Sequence, residues 1–119
     1  METFDNNRSW DARAVQIWQI LVGMAHNRQS VTYSQLSKLL GYTKNANMAE
    51  PIGRIMYYCD QNRLPQLTVL IVNEKTGIPK EGLMLPGEEN QEREKVFNYN
   101  WYNIYPPSKE DFARAWSTY

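Results

Sequence analysis

Three helical periods follow one another before the chain offers a single strand-like run, and that order limits the folds open to it. From Asp11 to about Asn27, Ala14, Trp18, Leu21 and Ala25 recur at i, i+4, i+7 and i+11 with Val15 and Val22 beside them, which makes one apolar face at a 3.6-residue period. Ser9 or Asp11 is the candidate N-cap, and His26 stands in the last turn, where a partial positive charge suits the helix dipole. Thr32-Tyr-Ser-Gln35 then reads as a capping box, in which the hydroxyl and the glutamine amide each satisfy an otherwise orphaned backbone N–H. Leu36, Leu39 and Leu40 form the apolar face behind it, and Gly41 closes the helix.

The third period is Ile52, Ile55, Met56 and Cys59. Pro51 sets its start: proline lacks an N–H and fits only the first helical turn, so the helix begins at Asn47 or Met48 and ends at Asn62-Arg-Leu-Pro65. Leu67 to Val72 is apolar and rich in β-branched residues and reads as a buried strand; Asn73 to Gly77 reads as a hairpin turn. Ile78 to Leu85, interrupted by Pro79 and Gly82, allows only a short edge strand. A helix beginning near Glu88 leads into the cluster Phe97, Tyr99, Trp101, Tyr102 and Tyr105. Pro106-Pro107 breaks the chain, and Ser108-Lys-Glu-Asp111 opens a last helix carrying Phe112, Ala115 and Trp116. Residues 1–10 read as a flexible leader, and 11–119 as one domain with a C-terminal helical extension from about 88.

Composition narrows the function classes. Thirteen Lys and Arg balance thirteen Asp and Glu in 119 residues, which excludes a protein held to nucleic acid by bulk charge. One cysteine and one histidine exclude an intrachain disulfide and a structural zinc site of the usual four ligands, and the scattered glycines make no phosphate-cradling loop. No cofactor or metal is expected. The longest apolar run, Val69 to Val72, is far short of the ~20 residues that span a bilayer, so the expectation is a cytoplasmic protein that makes no membrane contact.

Helix, short helix, turn, longer helix, strand, hairpin, weak strand is the order of a helix-turn-helix extended by a β-wing. The expected fold is therefore α+β and winged-helix-like, with additional C-terminal helices. In such a unit the third helix reads the groove and the hairpin tip meets the backbone beside it. Those positions are Lys44, Asn45, Asn47, Arg54, Tyr58, Lys75 and Thr76, with Asn73 at the start of the wing.

Thr32-Tyr-Ser-Gln-Leu-Ser-Lys-Leu-Leu-Gly41, then Ala49-Glu-Pro-Ile-Gly-Arg-Ile-Met56, then Leu64-Pro65 with the β-run and Asn73 to Gly77, resemble the DNA-binding domain of the alkylguanine-DNA alkyltransferases and the alkyltransferase-like proteins over residues 11 to 82. The resemblance implies a winged-helix-like fold and duplex DNA as partner. It also locates the family's reactive Pro-Cys-His-Arg segment at Pro65, with Gln66 in place of the alkyl-accepting cysteine, Leu67 in place of the histidine and Thr68 in place of the arginine. A glutamine supplies no thiolate and a leucine relays no proton, so the reading is a non-enzymatic module. The family's arginine finger, which fills the gap left by a flipped base, aligns with Glu50, an acid that repels phosphate.

The remaining features divide between two partners. Between His26 and Arg63 five basic residues face two acids, whereas between Glu81 and Glu94 five acids face one arginine. The basic half allows weak, local, salt-sensitive contact with double-stranded DNA. Neutral total charge, Glu50 and the acidic stretch favour the alternative, a protein-interaction or inhibitor module on the same scaffold that meets its partner through exposed aromatics. A small module of that kind would suit a phage, plasmid or defence setting. Glu88-Glu89 and Glu110-Asp111 lie in helix first turns, where carboxylates favour the dipole without acid–base work.

Overall fold

The computed structural model describes residues 1, 9–42, 48–74 and 89–118. Five helices are present among them: α1 Trp10–His26, α2 Tyr33–Leu39, α3 Ala49–Gln61, α4 Glu89–Asn98 and α5 Lys109–Thr118. Two two-residue strands, β1 Val31–Thr32 and β2 Ile71–Val72, pair in parallel with Val31 opposite Ile71 and Thr32 opposite Val72. The class is α+β, mostly helical with a small parallel sheet.

Local chemistry explains where the helices begin and end. Ser9 caps α1 by accepting from the N–H groups of Asp11 and Ala12. Thr32 and Gln35 close the capping box of α2 in both directions, at 3.0 and 3.1 Å. Pro51 lies in the first turn of α3, whose N-cap is Met48. At the other ends, α1, α2 and α3 stop in the same way, with paired backbone bonds that return to the last helical turn. Tyr42 and Gly41 donate to Ser37 and Lys38, Gln29 and Arg28 donate to Met24 and Ala25, and Leu64 and Arg63 donate to Cys59 and Asp60. The motif needs a left-handed residue, which Gly41 provides at φ 84° and which Arg28 and Arg63 adopt at φ 54° and 55° despite their Cβ atoms.

The strand expected over 67–72 forms only at its last two residues. Leu67–Leu70 is a turn of 3-10 helix, with Val69 donating to Gln66 and Ile71 to Thr68. The physical reason is the length of the partner: β1 offers two residues of ladder, so the buried N–H groups before Ile71 must find carbonyls locally. That two-residue β1 was absent from the sequence reading, since no alternation can show in two residues. The described sheet is parallel. Most of the hairpin wing expected over 73–77 and all of the edge strand expected over 78–85 fall outside the described residues.

The core lies where α1, α3 and α5 meet over the 3-10 turn. Ile17, Leu21, Ile55, Leu67, Val69, Leu70 and Phe112 are wholly buried in it. Trp18 is its aromatic hub, meeting Tyr58 and Trp101 edge-on at 5.6 and 5.5 Å and Phe112 at 6.0 Å between ring centroids. Trp101 Nε1 donates to the Val96 carbonyl at 2.8 Å, so its polar atom is satisfied inside and the 3-10 turn Trp101–Asn103 is pinned to α4. The aromatic cluster thus splits: Trp101 is buried, whereas Tyr102 is 66% and Tyr105 96% exposed. One leucine was assigned to the wrong face. Leu36 and Leu40 are buried, but Leu39, about 100° round the helix from Leu40, is 58% exposed.

Candidate nucleic-acid interface

Of the described residues of the expected reading surface, Arg54 is buried, Tyr58 is half-buried and Asn73 is exposed. Arg54 projects from the second turn of α3 into a joint between three helices. Its Nε donates to Asp11 Oδ1 of α1 at 2.5 Å, its Nη1 donates to the Glu50 carbonyl at 2.8 Å, and its guanidinium lies 4.3 Å from the centre of the Trp116 ring of α5. Only 11% of the side chain is exposed. The expectation of a phosphate-contacting Arg54 therefore meets a guanidinium already engaged on three sides, because α5 folds back over the outer face of α3.

Tyr58 lies one turn further along the same helix. Its ring packs edge-on against Trp18 and Phe112, and burial, followed by the negative charge of Asp111, pushes its hydroxyl pKa above the ordinary value. Such a ring supports the core. Between the two, Tyr57 stacks on Trp116 at 5.2 Å, and a Cβ on Gly53 would stand 2.6 Å from Cζ3 of the same tryptophan. Glycine at 53 is what lets the indole close on the helix. Lys44, Asn45, Asn47, Lys75 and Thr76, the other expected contacts, lie outside the described residues.

α3 is open at both ends, at Ala49 and Glu50 and again at Asp60 and Gln61. Ala49 is exposed and Glu50 has 43% of its side chain exposed, while Met48 behind them is buried and donates its N–H to the Tyr33 hydroxyl at 2.8 Å. That bond ties the start of α3 to the start of α2, so the two helices present one end together. Glu50, with Asp11 nearby, makes the described rim of this end acidic, and Arg54 partly neutralises it from below.

The segment from Gln66 to Thr68 is built as a brace. Gln66 Nε2 donates to the Met56 carbonyl of α3 at 3.2 Å, Gln66 Oε1 accepts from Thr68 Oγ1 at 3.3 Å, and the Gln66 N–H donates to Glu92 of α4 at 2.7 Å. One glutamine thus joins α3, the 3-10 turn and α4. Cys59 lies wholly buried beneath it. Burial, with the nearby carboxylates of Glu92 and Asp60 adding to it, pushes the thiol up to about 12 against the opposing hydrogen bond from Leu67. A thiol so protonated and enclosed is not a nucleophile near neutral pH. Incubation of the folded protein with an alkylguanine-containing duplex, or with iodoacetamide, should leave Cys59 unmodified by intact-mass spectrometry. Iodoacetamide should label it only after denaturation.

Further along the chain, Asp111 completes a reciprocal cap with Ser108, and the Ser108 N–H and hydroxyl together with Arg114 hold its carboxyl below the ordinary range. The feature that sequence reasoning missed is a groove of about 820 Å³ between the end of α1 and the outer face of α2. The sequence carried little signal of it, because the i, i+3, i+4 spacing groups Leu39 with the buried Leu36 and Leu40. Among the described residues no group of three or more His, Cys, Asp or Glu side chains could hold a metal ion, and no helix is long and apolar enough to cross a membrane. No protein-family model, curated protein or solved structure matches the chain.

Proposed function

We propose that this chain is a non-enzymatic DNA-binding module of the alkyltransferase-like winged-helix type. It meets double-stranded DNA weakly and locally through the amino-terminal turn of α3 and the residues just before it, with the wing at 73–77 alongside. The observation that carries the reading is the Tyr33–Met48 tie, which gives α2 and α3 one shared open end while the body of α3 is clamped by α1 and α5. A helix presented end-on in this way offers its first turn, so Lys44, Asn45 and Asn47, which precede it in the sequence, are the residues proposed to engage phosphate and base edges.

Mobility shifts of a generic duplex at low salt test this. The wild type should retard it weakly, and Lys44→Ala should weaken retardation for every duplex sequence and flatten the dependence of log affinity on log salt by about 1. Glu50→Gln should strengthen it, because an exposed carboxylate facing phosphate is removed. No retardation at any salt concentration ends the DNA reading.

A specific observation keeps the second reading, a protein-interaction or inhibitor module on the same scaffold. Tyr105 stands almost free of the fold and Tyr102, edge-on against His26, is still largely exposed, and tyrosine is among the side chains that anchor protein interfaces. Loss of both rings with unchanged DNA retardation but lost partner binding would favour it.

A further inference from the structure

We propose that the groove between the carboxyl end of α1 and the outer face of α2 docks an acidic, amphipathic segment of a partner protein. The groove is shallow and open to solvent along its length, so it suits an extended segment rather than an enclosed small molecule. Its apolar lining is Met24, Val31 and Leu39, and Leu39 stands 58% exposed on a helix whose other leucines are buried. Its charged lining is Arg28 and Lys38, and no carboxylate belongs to it among the described residues.

Charge complementarity selects the occupant. Lys38 makes no ion pair among the described residues. Arg28 shows what this wall accepts: its Nη2 donates to both carboxylate oxygens of Glu94, reaching over from α4, at 2.9 Å each, while the Phe97 ring 4.9 Å from its guanidinium carbon holds it in place. That pair is exposed on both sides, at 53% and 59%, so it contributes little to folding and can exchange for an incoming carboxylate. A phosphate backbone would satisfy the two cations but leave Leu39 and the open part of Met24 wet. A peptide alternating acidic and apolar side chains covers both parts, in the manner of a segment laid in a groove. The inference does not rest on the DNA reading, since none of the residues lining the groove is among those proposed to meet DNA.

The experiment is fluorescence anisotropy of the full chain with a fluorescein-labelled synthetic peptide alternating Leu or Phe with Glu or Asp. The same peptide with lysine in place of each acid is the control, and unlabelled duplex DNA is the competitor. Saturable binding of the acidic peptide is expected, with binding weakened about tenfold by Lys38→Glu and by Leu39→Asp, as for loss of a groove anchor or a reversed rim charge. Both side chains are exposed, so unchanged unfolding midpoints should accompany the losses. Absence of saturable binding, equal binding of the lysine peptide, or indifference to both variants overturns the proposal. Displacement of the peptide by DNA would reassign the groove to nucleic acid, and a concentration-dependent dimer abolished by Leu39→Asp would reassign it to a second copy; either outcome also overturns it.

Discussion

Arg54→Glu should destabilise the fold by about 3 kcal/mol or more, because it sets a third carboxylate against Asp11 and Glu50 at a joint where only 11% of the native side chain meets water. Against a total stability of roughly 5–15 kcal/mol, that is a large fraction. Urea denaturation should show the midpoint falling sharply. Arg54→Lys should recover only part of the loss, since one ammonium cannot serve Asp11 and the Glu50 carbonyl while also lying flat on Trp116. The measurement separates two roles that a binding assay alone would confuse. If Arg54→Glu abolished DNA retardation with an unmoved midpoint, Arg54 would be an interface residue after all, and the packing of α5 over α3 would have to open when DNA binds.

Phe112→Ala should cost about 4 kcal/mol, the range for deleting a buried aromatic ring from a packed core. Phe112 is wholly buried and touches both Trp18 and Tyr58, so its removal leaves a cavity where α1, α3 and α5 converge. For a chain of this size the thermal midpoint should fall by about 15 °C, followed by circular dichroism. If α5 were only an appended helix, the loss would be under about 1 kcal/mol, and a truncation before Pro106 would fold and retain the Trp18 environment. The larger expected loss means that α5 belongs to the same core as the three amino-terminal helices.

Much of the local architecture was legible in the sequence, and for a local reason. Ser9, the Thr32–Gln35 box, Pro51, Gly41 and the Ser108–Asp111 cap act within a few residues of themselves, so their effect on where helices begin and end does not depend on the rest of the fold. The strand over 67–72 was misjudged because β structure needs a partner, and the partner is two residues long. Leu39 was misplaced because a short apolar cluster does not say which of its members turns outward. The candidate site was least legible. Arg54 on a basic-looking helix is indistinguishable in sequence from an arginine waiting for phosphate; what changes its meaning is Trp116, sixty-two residues later, folded back onto it.

By itself the sequence determined that this is a chain of capped amphipathic helices around one aromatic-rich core. It also determined that position 66 carries a glutamine, which supplies no thiolate. Those properties follow from side-chain chemistry and short-range hydrogen bonding. Tertiary structure decided which faces remain available. By laying α5 across α3 it buried Arg54, half-buried Tyr58 against Phe112, and it made Gln66 a brace between three elements. The reason is physical: exposure is a property of the whole packing, set by which apolar faces find each other, and no residue carries that information in its own neighbourhood.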